Sequence, residues 1–110
     1  AHKDLNSNGT LFGGRVLDWI DEEAYIYCSC QLDNDRVVTR KMSGIDFTSS
    51  AMRGDIIEIG MQTTKIGRTS ITISCDVRNK KTSKTITSVE EIVFVNLGPN
   101  GKPAAHGKTL

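Results

Sequence analysis

Apolar residues recur at helical spacing from Gly14 to about Gln31. Val16, Leu17, Ile20, Ala24, Tyr27 and Cys28 form one stripe, which Trp19, Ile26 and Cys30 widen. Only Asp18, Glu22 and Ser29 mark a polar edge, so the pattern predicts a helix that is apolar almost all round and has to be enclosed. Beyond it the chain reads as strands: Arg36 to Thr48, Asp55 to Lys65, Thr69 to Asn79 and Thr85 to Leu97. Ile57, Ile59 and Met61, and then Ile71, Ile73, Cys75 and Val77, alternate with mainly polar neighbours, as half-buried antiparallel strands do. Turn signals separate the strands at Met52–Asp55, Ile66–Arg68 and Asn79–Thr82. The last strand carries Ile92, Val93, Phe94 and Val95 in succession, which predicts burial on both faces. The expected architecture is α+β, one long helix against a curled antiparallel sheet, in a single domain over residues 1–110 with no internal repeat or linker.

Composition limits what this scaffold can bury. A chain of 110 residues removes only about two-thirds of its unfolded surface from water, and here 37% of residues are hydrophobic and 5% aromatic. That is low for a self-sufficient monomer, so a homo-oligomer is expected. The net charge is +1, from 14 basic and 13 acidic residues, with no block of like charge to serve as a nucleic-acid arm or a membrane patch. Nucleic acid and membrane are therefore not expected partners. Cys28, Cys30 and Cys75 lack CxxC or zinc spacing, and no apolar run approaches the roughly 18 residues of a membrane span. Neither end has signal-peptide organisation, and a reducing cytoplasmic setting is expected.

Candidate chemistry concentrates where a Gly-rich loop runs into the helix, from Asn8 and Gly9 through Phe12, Gly13 and Gly14 to Asp21. Paired glycines let backbone approach a ligand, and the first N–H groups of a helix lack intrahelical partners, so they can receive developing negative charge. A nearby carboxylate can then act on water. At about 100° per residue from Val16, Asp21 falls at the rim of the apolar arc, while Glu23 falls deeper, between Trp19 and Tyr27. Periodicity does not choose between the two acids, and Asp21 reads equally as a solvated or Arg-paired helix acid. Asn8 can cap a turn or hold the attacking water. Gly13 and Gly14 can be packing glycines or oxyanion donors. Gly67, Arg68, Thr69 and Ser70 form an ordinary strand-to-strand turn or a phosphate-binding one, with Arg68 as a charged fork; Arg53 and Lys65 are weaker phosphate candidates. Cys28 and Cys30 point away from each other on a helix and read as small core residues, Trp19 as core, and Asp46 as a strand-edge acid. His2 and His106, near the termini, belong to no Ser/His/Asp or metal arrangement, and no metal or prosthetic group is indicated.

Asn8-Gly9, Phe12-Gly13-Gly14, Asp21, Asp46-Phe47, Gly54-Asp55, Gly67-Arg68-Thr69-Ser70 and Phe94-Val95 before a Gly-Pro-Asn-Gly turn together resemble the hotdog-fold acyl-CoA thioesterases of the cytosolic acyl-CoA hydrolase type. The resemblance covers nearly the whole chain. It implies an antiparallel sheet wrapped around a central helix, protomers paired edge to edge, and often three such dimers in a hexamer. It further implies hydrolysis of acyl-CoA to free acid and CoA at the dimer interface, with no cofactor beyond the CoA of the substrate. Carried over residue by residue, Asp21 is general base or nucleophile and Asn8 its polar partner across the interface. Gly14, more than Gly13, is the oxyanion donor, and Gly67, Arg68, Thr69 and Ser70 hold CoA. One departure is that members have a strand before the Asn-Gly loop, where this chain offers only the seven residues before Asn8. The competing expectation is a non-catalytic acyl-CoA-binding or sensing module on the same scaffold. A hotdog hydratase would need a His on the central helix, and none lies there.

Overall fold

The helical stripe is realised as α1, Gly13–Leu32, in the computed structural model, which describes residues 13–52 and 54–110. Val16, Ile20, Ala24, Cys28 and Leu32 are all buried in the core. Their spacing of four stacks them along one face, because side chains a turn apart lie one above the other. The helix stops where Asp33 takes a left-handed backbone (φ 55) and the Asn34 N–H reaches back to the Ser29 carbonyl at 3.1 Å. That wrap satisfies a carbonyl the helix end would otherwise leave open.

Four strands follow: β1 Val37–Phe47, β2 Ile57–Ile66, β3 Ser70–Asn79 and β4 Thr85–Asn96. They form one antiparallel sheet in the order β1-β4-β3-β2. β2 starts two residues later than expected because Asp55 is consumed by the preceding turn. Its N–H donates to the Met52 carbonyl, and its carboxylate accepts the Met52 N–H at 2.7 Å. The alternating residues of β3, Ile71, Ile73, Cys75 and Val77, meet Val89, Ile92 and Phe94 of β4 in the core beneath the helix. The expectation that β4 is buried on both faces is corrected: Ile92 and Phe94 are buried, but Val93 and Val95 on the outer face are only half-covered.

The register decides which residues share an end of the sheet. Thr39, Phe94 and Ile71 lie level across β1, β4 and β3, and Val38, Val95 and Ser70 lie level one step further out. The turn joining β2 to β3 therefore sits at the Thr39 end of the sheet.

One expectation is met only in part. A single sheet covers a single side of α1, so Tyr25 and Ile26 remain 39% and 50% exposed and Cys30 is exposed as well. The edge strand β1 likewise presents Val38, Ile45 and Phe47 to solvent. A long apolar edge of this kind is a template for pairing with another chain.

Two predictions follow from the packing. Burial pushes the Cys28 thiol from its ordinary value of 9.0 up to about 12. Burial, with the Asp76 carboxylate beside it, pushes Cys75 up to about 11. A raised thiol pKa keeps the unreactive neutral form, so Cys28 and Cys75 should resist a thiol reagent at pH 8 and react only after denaturation. The same shift means that stability from these thiols is full below their unfolded pKa and declines as pH rises towards the folded values. Thr87 is fully buried on β4, in register with Phe47 and Val77, and among the described residues its hydroxyl has no hydrogen-bond partner. An unmade buried bond costs about 1–3 kcal/mol, so Thr87→Val should raise the unfolding free energy in urea by about 1 kcal/mol or more; destabilisation would contradict this.

Candidate active site

Asp21 projects from the flank of α1 towards the edge strand. Thr39, third residue of β1, donates its hydroxyl to the Asp21 Oδ1 at 2.6 Å. Among the described residues Oδ2 carries no bond, so one carboxylate oxygen is held and the other is available. Glu23 follows by two residues, about 200° around the helix axis, and so lies on the opposite flank. There it lines a cavity of about 290 Å³ with Ile26, Tyr27, Ile59 and Met61, against β2. Periodicity left the two acids undecided; the structure separates them, with only Asp21 positioned by a strand side chain.

The backbone donors expected to serve the same reaction are not beside it. Asp21 follows Gly13 by eight residues and Gly14 by seven along α1. At about 1.5 Å of rise per residue, that is about 10–12 Å along the axis. A base must come within about 3 Å of the proton it takes, and oxyanion donors must lie equally close to the same carbonyl. Within one protomer the Gly13 and Gly14 amides and Asp21 are therefore set apart along the helix and not side by side. The helix mouth and the carboxylate are about two turns apart within a single chain. Asn8 and Arg53 lie outside the described residues.

The other predicted group is a shaped turn. The Gly67 N–H donates to the Ser70 carbonyl at 3.0 Å, closing the β2–β3 connection. A Cβ at Gly67 would lie 2.5 Å from the Ser70 Oγ, so a side chain there would require that hydroxyl to rotate away. Arg68 is exposed at the tip. Two strand spacings, about 10 Å, separate this turn on β3 from Thr39 on β1 at the same end of the sheet. The structure thus brings Asp21 and the Gly67–Ser70 turn to one end of the molecule, while the start of α1 lies elsewhere. Val16 there lines a separate cavity of about 290 Å³ with Phe47, Ala51 and Ile86.

Two positioning features escaped the sequence. Thr39 is an unremarked strand residue until the fold sets it against the helix. Asn34, just past α1, donates to the Asn96 Oδ1 at 2.8 Å and to the Leu97 carbonyl at 3.0 Å, linking the helix end to β4. Neither residue lies in a motif, so no local signal marks either one. Among the described residues, no group of three or more His, Cys, Asp or Glu side chains is placed to hold a metal ion. None of the helices there is long and apolar enough to cross a membrane.

A helix laid on a four-stranded antiparallel sheet, with an acid on its flank, is an arrangement with known relatives. The Thioesterase superfamily profile matches residues 8–86. The chain belongs to this superfamily. Over 106 residues it is 33% identical to an uncharacterized acyl-CoA thioester hydrolase of Buchnera aphidicola (strain Bp), covering 91% of this chain and 78% of the relative. It is 30% identical, again over 106 residues, to the acyl-CoA thioester hydrolase YciA of Salmonella typhimurium, covering 91% of this chain and 79% of that one. The crystal structure of a hexameric thioesterase from Yersinia pestis superposes with a TM-score of 0.87 at 28% identity, covering 98% of this chain and 89% of that one. The fold is the hotdog architecture that the motifs implied, one helix packed on a four-stranded antiparallel sheet.

Proposed function

We propose that this thioesterase hydrolyses acyl-CoA to free carboxylic acid and CoA, at a site assembled from two copies of the chain. The observation that carries the reading is the Asp21 carboxylate, held by Thr39 on the flank of the helix next to β1, an edge strand of the described sheet. The named activity of the Salmonella relative supplies the substrate class.

The chemistry needs a nucleophile at the thioester carbon, donors for the oxyanion and a proton for the departing thiolate. As a base, Asp21 takes a proton from water while the water oxygen bonds to the carbonyl carbon. The C–S bond then breaks, and the proton passes to the CoA sulfur. As a nucleophile, the free Asp21 oxygen attacks directly, expels the CoA thiolate and leaves a mixed anhydride that water opens. Both routes begin at the carboxylate oxygen that Thr39 leaves free. Oxyanion donors come from the Gly13 and Gly14 amides of a second copy, an arrangement supported by the roughly 10–12 Å that separates those of the same copy from Asp21 along the helix. Asn8 of that second copy is the polar partner for water. Two-fold pairing along β1 would cover its exposed Val38, Ile45 and Phe47, and three such pairs make a hexamer like the Yersinia relative. Arg68, with Gly67, Thr69 and Ser70, anchors the nucleotide end of CoA.

The test is thiol release from acetyl- to palmitoyl-CoA by wild type, Asp21→Asn and Thr39→Val. Asp21→Asn should lose about 10²-fold or more in kcat, the size of a missing catalytic base. Thr39→Val, which keeps the carboxylate but removes its donor, should fall between the two. Equal activity of wild type and Asp21→Asn would move the role to Glu23. CoA binding without turnover by wild type would make the protein a non-catalytic sensing module.

A further inference from the structure

The Gly67–Ser70 turn is not free-standing. The Arg68 carbonyl accepts the His106 N–H at 3.3 Å, and the Thr69 carbonyl accepts the Asn96 N–H at 2.7 Å. The Ser70 carbonyl takes a third bond, at 3.0 Å, from the His106 ring Nε2. A carbonyl can only accept, so the imidazole carries its proton on Nε2; its Nδ1 then accepts the Lys108 N–H at 3.0 Å. Both ring nitrogens are thus engaged, and three successive carbonyls of the turn are tied inwards. The tail that delivers His106 is itself anchored. The Ala104 N–H donates to the Asn96 carbonyl at 2.9 Å, and the Asn96 side chain, 5% exposed, donates to the Ala104 carbonyl at 2.8 Å.

This arrangement does more than close a loop. Acceptors turned towards an anion repel it, whereas carbonyls already occupied leave the Arg68 guanidinium as the turn's charged feature. We propose that His106 is a positioning residue for CoA recognition. Its ring and backbone hold the Gly67–Ser70 turn in the shape that receives the phosphates of the nucleotide end, while it takes no part in breaking the thioester. This rests on the acyl-CoA reading above and adds to it a group from the C-terminal tail.

The experiment compares wild type, His106→Ala and His106→Gln with two substrates that share one acyl group, acyl-CoA and the acyl-pantetheine that lacks the nucleotide, alongside direct binding of CoA. For His106→Ala the KM for acyl-CoA and the Kd for CoA should rise about 3- to 10-fold, the effect of one lost hydrogen bond, with kcat unchanged. The KM for acyl-pantetheine should not move. His106→Gln, whose side-chain amide can still donate to the Ser70 carbonyl, should recover most of the loss. Equal losses on both substrates would mark His106 as merely structural and overturn the proposal, as would no loss on either. A wild type that binds CoA but hydrolyses neither substrate would sink the thioesterase reading alone, and the Kd comparison would still decide the role of His106.

Discussion

Everything in this molecule follows from laying one helix, apolar on nearly every side, against a single sheet. The row Val16, Ile20, Ala24, Cys28 and Leu32 packs into Ile71, Ile73, Ile92 and Phe94 and makes the core. With one sheet among the described residues, the far side of α1 stays bare at Tyr25 and Ile26. Among the described residues the same economy leaves β1 as an edge strand with apolar residues along it. Both deficits are of the kind that a second copy would repair, since burying such surface contributes about 25 cal/mol per Å².

The helix also dictates where chemistry can occur. Its rise per residue puts the Gly13 and Gly14 amides about 10–12 Å from Asp21 along the axis. A site shared between two copies is the proposed way to bring both to one carbonyl. Asp21 faces the open edge through its bond to Thr39, so the acid already sits where a partner would arrive. At the same end of the sheet, the β2–β3 turn is braced from behind by β4 and the C-terminal tail. The chain thus carries an acid and a braced turn at one end of the sheet, with the start of its helix elsewhere.

Much of this was legible in the chain. The helix ran one residue beyond the expected end on either side, because the i, i+4 row is nearly uninterrupted. All four strands appeared, with ends shifted by one or two residues where turn bonds, as at Asp55, claimed the terminal residue. The outer face of β4 was misread because Val93 and Val95 are as apolar as Ile92 and Phe94; which side the helix covers is a tertiary fact. The choice of Asp21 over Glu23 came from family resemblance, and its physical counterpart, the Thr39 hydroxyl, sits 18 residues away in sequence. His106 reads from the sequence as a polar residue near the terminus, since its bond to Ser70 forms only when the tail folds back, 36 residues away. Long-range pairings of this sort leave no local periodicity to read.

Subunit complementation tests the composite site most directly. Asp21→Asn and Asn8→Ala proteins, each nearly inactive alone, would be unfolded together, refolded as a mixture and assayed for thiol release from acyl-CoA. A site shared between copies predicts recovery to about a quarter of wild-type activity, because half of the random dimers are mixed and each mixed dimer has one intact site of two. Activity no greater than the average of the two parents, in a mixture shown to contain mixed dimers, would place the whole site within one chain and contradict the account.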